Sequence, residues 1–163
     1  MVTSKGKPVT LEGNQARVGD PAPDFTALDA GFNPVRLSDF KGRVVILSSV
    51  PSIDTSVCAA QTRRFNIEAR RAKAQVLIIS MDLPFAQARF CEAERIRDLI
   101  TVSDFKDGEF GQRYGLRVRE VGLLARAVLV IDSQGRIVYR EICEEMSKEP
   151  DYEAALEAAR QAT

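Results

Sequence analysis

The stretch Val44-Val-Ile-Leu-Ser-Ser-Val-Pro-Ser-Ile-Asp-Thr-Ser-Val-Cys58 decides the fold, because it joins a buried strand to the start of a helix. Residues 44–50 form a continuous, mainly apolar and β-branched run, which is typical of a central strand covered on both faces. Pro51 ends this strand, since proline lacks the N–H that the interior of a sheet requires. Asp54-Thr-Ser56 then supplies residue types that cap helices. The stretch therefore predicts a strand, a short loop and a helix in immediate succession.

The helix that follows this loop is predicted to run to about Ala74. Cys58, Phe65, Ala69 and Ala72 recur along it and, at about 100° per residue, fall within a sector of about 60°. Cys58 is therefore expected to face the core from the first turn of the helix.

The remainder of the chain continues the alternation of strands and helices. Further strands are predicted at 76–80, 99–102, 127–131 and 137–142, with helices from Pro84 through Cys91, near 110–114 and over 150–159. The N-terminal part predicts a hairpin over 7–18 and short strands at 25–28 and 35–37. This order predicts an α/β fold of thioredoxin type, with a central sheet flanked by helices and an N-terminal β-hairpin. A single domain over residues 1–163 accommodates it.

The composition excludes several classes of function. Lysine and arginine number 23 against 23 aspartate and glutamate, so no overall field attracts nucleic acid or an acidic membrane. No apolar run approaches the roughly 18 residues of a transmembrane helix. The first residues lack the apolar segment of a secretory signal, and the expected compartment is the cytoplasm.

The choice of nucleophile is restricted by the absence of histidine, which excludes Ser-His and Cys-His pairs. The three cysteines at 58, 91 and 143 are too scattered for the usual zinc spacings, and no C-x-x-C pair is present. The sequence also lacks the glycine-rich loops that hold nucleotides. Any nucleophile must therefore be activated by a cationic side chain, a helix terminus or a metal.

Cys58 has two interpretations. The unpaired N–H groups and partial positive charge of a helix N-terminus favour a thiolate, and a nearby guanidinium would favour it further. Alternatively, Cys58 is a small buried hydrophobic residue, the commonest role of a cysteine. Thr55 is three residues earlier and is either the helix N-cap or a hydroxyl that holds a substrate oxygen, and these two roles are compatible.

Arg126 and Cys91 are also open to two interpretations. Arg126 interrupts the apolar segment 122–131, so it needs an anionic partner such as a thiolate, or it reaches water at the rim of the sheet. Cys91 is either a core cysteine on a short helix or the thiol that captures oxidised Cys58. Cys143 ends the strand over 137–142 and is expected to be structural or incidental.

At these residues the chain resembles the bacterial thiol peroxidases, an atypical two-cysteine branch of the peroxiredoxins. Pro51, Thr55 and Cys58 match the general peroxiredoxin signature of proline, three residues, threonine or serine, two residues and cysteine. Residues 80–91, Ser-Met-Asp-Leu-Pro-Phe-Ala-Gln-Ala-Arg-Phe-Cys, match the signature of the branch. Segments 122–126 and 149–152 also look like the branch, so the resemblance covers essentially the whole chain.

The resemblance implies a role for each matching residue. Cys58 would be the peroxidatic thiolate that attacks hydrogen peroxide or an alkyl hydroperoxide and becomes a sulfenic acid. Thr55 would hydrogen-bond the peroxide, Arg126 would stabilise the thiolate and the transition state, and Pro51 would shield the pocket. Cys91 would resolve the sulfenic acid by closing an intramolecular disulfide with Cys58. The resemblance also implies that the protein is a homodimer and that thioredoxin is its reductant. No metal, haem or flavin would be required.

Two other classes of function remain open from the sequence. The same cysteines would serve a peroxide-sensing disulfide relay, or a holdase chaperone without turnover. A thioredoxin-fold binding module is disfavoured by the presence of Pro51, Thr55, Cys58 and Arg126 together. If the disulfide forms, the chain is expected to unwind locally around one or both cysteines, because thiols held in two packed helices rarely meet disulfide geometry. The helix carrying Cys91 is shorter and starts at Pro84, so it is expected to unwind more readily than the helix carrying Cys58.

Overall fold

The computed structural model describes residues 1–162. The four α-helices of this part of the chain are α1 (Ser56–Ala72), α2 (Pro84–Ala93), α3 (Glu109–Tyr114) and α4 (Tyr152–Gln161). The strands are β1 (Thr3–Ser4), β2 (Lys7–Pro8), β3 (Leu11–Glu12), β4 (Thr26–Leu28), β5 (Pro34–Arg36), β6 (Val45–Ser49), β7 (Gln75–Ser80), β8 (Ile100–Ser103), β9 (Arg117–Val118), β10 (Leu123–Leu124), β11 (Ala127–Ile131) and β12 (Ile137–Ile142).

The main sheet has the strand order β12-β11-β6-β7-β8-β4-β5. Every residue of β6 is buried, as its continuous apolar run predicts. β6 runs parallel to β7 and antiparallel to β11, in a register that sets Ala127 opposite Ser49. The start of β11 therefore lies at the end of β6 from which the chain enters α1.

The two faces of the sheet are covered by different elements, and alternate residues of each inner strand point to each face. On one face, Ile46 and Ile78 share a core with residues of α1 and α4. On the other, Leu47 and Leu77 share a core with Phe110 of α3. α2 packs on β8. The layers confirm the predicted sheet flanked by helices.

The N-terminal hairpin is confirmed, but its predicted position over 7–18 is wrong. β1 pairs with β2 through a turn in which Lys5 and Gly6 both have positive φ angles, of 51° and 76°. Such a pair is typical of a two-residue hairpin loop. β3 instead pairs with β9. Gly13, the expected turn residue, lies against α3, where a Cβ would come within 2.3 Å of the carbonyl oxygen of Gln112.

Among residues 1–162, no helix combines the length and the hydropathy that crossing a membrane requires.

Candidate active site

The loop between β6 and α1 places the start of the helix near the C-terminal end of β6, an inner strand of the sheet. Pro51 is buried, and Thr55 is the N-cap of α1, as its residue type predicts. The Thr55 hydroxyl accepts a hydrogen bond from the backbone N–H of Cys58 at 3.3 Å and donates one to the carbonyl of Ser52 at 3.2 Å. Thr55 is therefore fixed within the same helical turn as the sulfur of Cys58 while its side chain remains exposed to solvent.

Cys58 and Arg126 are in direct contact. A guanidinium N–H of Arg126 donates to the Cys58 sulfur at 3.2 Å. Cys58 has no exposed surface and Arg126 is 2% exposed, so the contact is shielded from water. The burial of Arg126 excludes the alternative in which this side chain reaches water at the rim of the sheet. A hydrogen bond from a cation in a shielded site favours the charged form of the acceptor.

The other partners of Arg126 are neutral. Its Nε donates to the carbonyl of Met146 at 2.9 Å, and its Nη1 donates to the Gln61 side-chain oxygen at 2.8 Å. No carboxylate of residues 1–162 lies within ion-pair distance of the guanidinium. Within that part of the chain, the Cys58 sulfur is the one direct partner of Arg126 that can carry a negative charge.

Gln61 is a site residue that the sequence analysis missed. It is fully buried on α1, one turn after Cys58, and its Nε2 donates to the hydroxyl of Ser48 on β6. Ser48 thereby orients the amide so that its oxygen faces Arg126. The available signal was a polar residue on the inward face of an amphipathic helix, since residues three apart share a face.

Cys91 lies on α2 and is half-buried. Its sulfur is 3.5 Å from the hydroxyl oxygen of Thr101 on β8. Burial raises the pKa of the Cys91 thiol, and the hydrogen bond with Thr101 offsets part of that rise. Cys91 is therefore held as a neutral thiol at physiological pH.

The structure does not bring Cys58 and Cys91 together. All three cysteines are free thiols. α1 is anchored over β6 through Gln61 and Ser48, whereas Cys91 contacts β8, and β7 lies between these strands. Two strand spacings of about 4.8 Å put the anchoring points roughly 10 Å apart. A disulfide needs Cα atoms within about 7 Å, so the pairing requires a change of conformation.

Cys143 directly follows β12 and is next to the backbone of Arg126, just before the start of β11. Its backbone N–H donates to the carbonyl of Arg126 at 2.9 Å, and its side chain is buried. Burial raises the pKa of the Cys143 thiol to about 11, with a further rise from Glu141 and a partial offset from Arg126. A buried thiol that remains protonated is unreactive.

The sequence model of the Redoxin family matches residues 17–156. The chain belongs to the Redoxin family.

Relatives within the family carry the name thiol peroxidase. That of Oceanobacillus iheyensis is 53% identical over 156 residues, which cover 95% of each chain. That of Bacillus subtilis is 50% identical over 160 residues, which cover 98% of this chain and 96% of the relative. These relatives confirm the resemblance to the thiol peroxidases, and the chemistry of the chain is thiol-dependent peroxide reduction of the peroxiredoxin type.

Solved structures share the fold. A peroxiredoxin-like protein from Aquifex aeolicus, 36% identical, matches with a TM-score of 0.93 over 99% of this chain and 96% of its own. A thiol peroxidase from Chromobacterium violaceum, 20% identical, matches with a TM-score of 0.87 over 98% of this chain and 95% of its own. The thioredoxin-like arrangement expected from the sequence is therefore confirmed.

Proposed function

We propose that Cys58 is the peroxidatic cysteine of a thioredoxin-dependent peroxidase and that Cys91 is its resolving cysteine. The observation that carries the proposal is the buried 3.2 Å contact between Arg126 and the Cys58 sulfur. The Cys58 thiolate attacks one oxygen of the hydroperoxide, the O–O bond breaks, and the leaving alkoxide or hydroxide takes up a proton. The products are the Cys58 sulfenic acid and an alcohol or water.

The residues around the sulfur have separate roles in this step. Arg126 stabilises the thiolate and the negative charge that develops on the breaking O–O bond. The Thr55 hydroxyl hydrogen-bonds the peroxide, a role compatible with its capping of α1. Pro51 shields the pocket from bulk water. Because the chain has no histidine, the proton that the leaving oxygen requires comes from the solvent.

Resolution couples the two thiols. The Cys91 sulfur attacks the sulfenic sulfur of Cys58, the S–O bond breaks, and water leaves as the disulfide forms. Since the folded arrangement separates the two cysteines, α2 unwinds around Cys91 to allow the reaction. The dithiol of thioredoxin then exchanges with this disulfide, which returns both cysteines to thiols and oxidises thioredoxin.

The assembly and location of the protein follow the same proposal. The protein acts in the cytoplasm as a homodimer, with residues 1–163 forming a single domain in each copy. An exposed aromatic cluster is formed by Phe85 at the start of α2 together with Phe32 and Phe105, and it is a surface that a second copy would cover.

The test is a coupled assay that follows the consumption of reducing equivalents through thioredoxin when hydrogen peroxide or an alkyl hydroperoxide is added. Cys58→Ser is expected to abolish turnover. Cys143→Ser, a matched control at another buried cysteine, is expected to leave it nearly unchanged. Substantial peroxidase activity in Cys58→Ser would refute the assignment. Oxidation of the wild-type protein without continued turnover would favour the disulfide relay instead.

A further inference from the structure

Asp82 is a charged residue to which the reaction described above gives no role. It lies between the end of β7 and the start of α2. Its carboxylate accepts three hydrogen bonds, from the Ser52 hydroxyl at 2.8 Å, the backbone N–H of Ile53 at 2.7 Å and the Ser80 hydroxyl at 2.7 Å. Two of these donors belong to the loop that precedes Cys58.

The backbone of Asp82 is held by residues at the ends of two strands of the main sheet. Its N–H donates to the Ser80 hydroxyl oxygen at 3.3 Å, and its carbonyl accepts a hydrogen bond from the hydroxyl of Ser103. Ser80 and Ser103 are the last residues of β7 and β8, two neighbouring strands of the main sheet. The carboxylate is therefore presented to the loop from a rigid base.

The same hydroxyl of Ser80 continues the path into α2. It accepts a hydrogen bond at 3.0 Å from Nε2 of Gln87, which is fully buried. Gln87 also donates to the carbonyl of Val102 at 2.9 Å, so it secures α2 to β8. Gln87 lies four residues before Cys91, one turn away on the same side of the helix.

A continuous chain of hydrogen bonds therefore connects the two cysteine-bearing segments. It runs from the Ile53 N–H through the Asp82 carboxylate and the Ser80 hydroxyl to the Gln87 amide. Ile53, Ser80 and Gln87 are buried, so three of the four groups are shielded from water. Bonds to a carboxylate are the strong members of such a chain, since charge-assisted hydrogen bonds are about twice as strong as neutral ones.

We propose that Asp82 is a positioning residue that couples the conformation of the Cys58 loop to the winding of α2. While Asp82 holds Ser52 and Ile53, Cys58 is kept in its reactive position and α2 stays helical around Cys91. When α2 unwinds during resolution, Gln87 leaves Ser80, and the hold of Asp82 on the loop is weakened. Asp82 therefore favours the peroxide reaction and opposes disulfide closure. This inference rests on the proposed function.

The experiment separates the two steps by rapid mixing of the reduced protein with a hydroperoxide. Oxidation of Cys58 is second order, whereas closure of the disulfide does not depend on the peroxide concentration. Asp82→Ala is expected to slow the first step on the order of tenfold, because small displacements of a reacting group cost that much or more. The closure step is expected to be as fast as in the wild type or faster.

Hydrogen exchange on the reduced protein gives a readout that does not depend on activity. In Asp82→Ala the amides of residues 87–91 are expected to exchange about tenfold faster, as follows from the loss of one charge-assisted hydrogen bond. Asp82→Asn keeps an oxygen for the Ile53 N–H and is expected to restore part of both effects. Asp82→Asn also provides the test of the proposal if Asp82→Ala does not fold.

The matched control is Asp98→Ala, which removes a carboxylate beyond the other end of α2. Asp98 pairs with Arg70 at 2.8 Å and has no bond to the Cys58 loop. In Asp98→Ala, the rates of Cys58 oxidation and disulfide closure and the exchange of the α2 amides are expected to equal those of the wild type. The inference is overturned if Asp82→Ala and Asp82→Asn leave both steps and the α2 amides unchanged, or if they slow closure as much as oxidation.

The outcome for the wild type distinguishes the two proposals. If a hydroperoxide produces no disulfide between Cys58 and Cys91 in the wild type, the proposed function fails, and hydrogen exchange alone decides the coupling through Asp82. If the wild type forms the disulfide and the variants match it in every measurement, only the role of Asp82 is wrong.

Discussion

Gln61 accepts a hydrogen bond from Arg126 at 2.8 Å through an amide oxygen, and so orients the guanidinium without neutralising it. A glutamate of the same size at this position would form an ion pair with Arg126. The neutral amide therefore leaves the full positive charge of Arg126 available to the sulfur of Cys58.

Gln61→Glu is expected to lower the fraction of Cys58 present as thiolate at neutral pH and to slow peroxide reduction about tenfold, because a nearby negative charge disfavours a second one. The thiolate fraction is measured by ultraviolet absorbance, with Cys58→Ser as the baseline. Gln112→Glu, on the exposed surface of α3, is the control for the same substitution elsewhere. A thiolate fraction equal to that of the wild type in Gln61→Glu would refute this role of the amide.

Arg126→Ala is expected to reduce the rate of Cys58 oxidation on the order of 10²-fold, the usual loss when one donor to a transition-state charge is removed. Arg126→Lys keeps the charge but cannot reach Gln61, Met146 and Cys58 together, so an intermediate rate is expected. The rate is measured by mixing reduced protein with hydrogen peroxide. Equal rates in all three proteins would show that the guanidinium does not act on the sulfur.

The buried Cys143 thiol is expected to make the stability of the folded protein depend on pH in the alkaline range. Its folded-state pKa is raised from the ordinary 9.0 to about 11, so the folded protein holds a proton that the unfolded chain releases. This contribution to stability is fully present below pH 9 and is lost as the pH rises toward 11.

The measurement is the melting temperature of reduced wild type and Cys143→Ala between about pH 8, below the ordinary thiol pKa of 9.0, and about pH 11, the raised pKa of Cys143. Alanine leaves a cavity at every pH, so only the slope is informative. The wild type is expected to lose more stability over this range than the variant. Parallel curves would contradict the burial of an un-ionised thiol at this position.

Unwinding of α2 is expected on oxidation, and hydrogen exchange tests it directly. The amides of residues 85–95 should be protected in the reduced protein and exchange faster after Cys58 and Cys91 have joined. Cys91→Ser treated with the same peroxide is the control, because it oxidises at Cys58 without forming this disulfide. Equal protection in both redox states of the wild type would show that the two thiols meet by another movement.

Strongly patterned segments were predictable from the sequence. The apolar run 44–50 became β6, and the cap residues before Cys58 became the start of α1, because local propensity and burial agree there. Pro84 occupies the first position of α2 as expected. The need of Arg126 for a partner could also be predicted from the sequence, since one cation in an apolar segment must find a partner.

Other features depend on contacts that the sequence does not display. Gly13 was expected to turn a hairpin, but it allows close approach to α3, and both uses of glycine produce the same local pattern. The two-residue strands β9 and β10 are too short to show a period. Gln61 and Asp82 gain their partners only when strands and loops distant in sequence are brought together.

The neutral surroundings of Arg126 have a consequence for the oxidised protein. The guanidinium keeps its charge in every state, whereas a sulfenic acid or a disulfide sulfur at Cys58 carries none. In the proposed cycle, each turnover would therefore pass through a form in which a cation that is 2% exposed has lost its counter-ion. Leaving such a charge buried costs about 3–5 kcal/mol, comparable to the free energy of local opening in many proteins. We therefore expect oxidation of the Cys58 sulfur to admit water to the site, and the return of the thiolate to expel it.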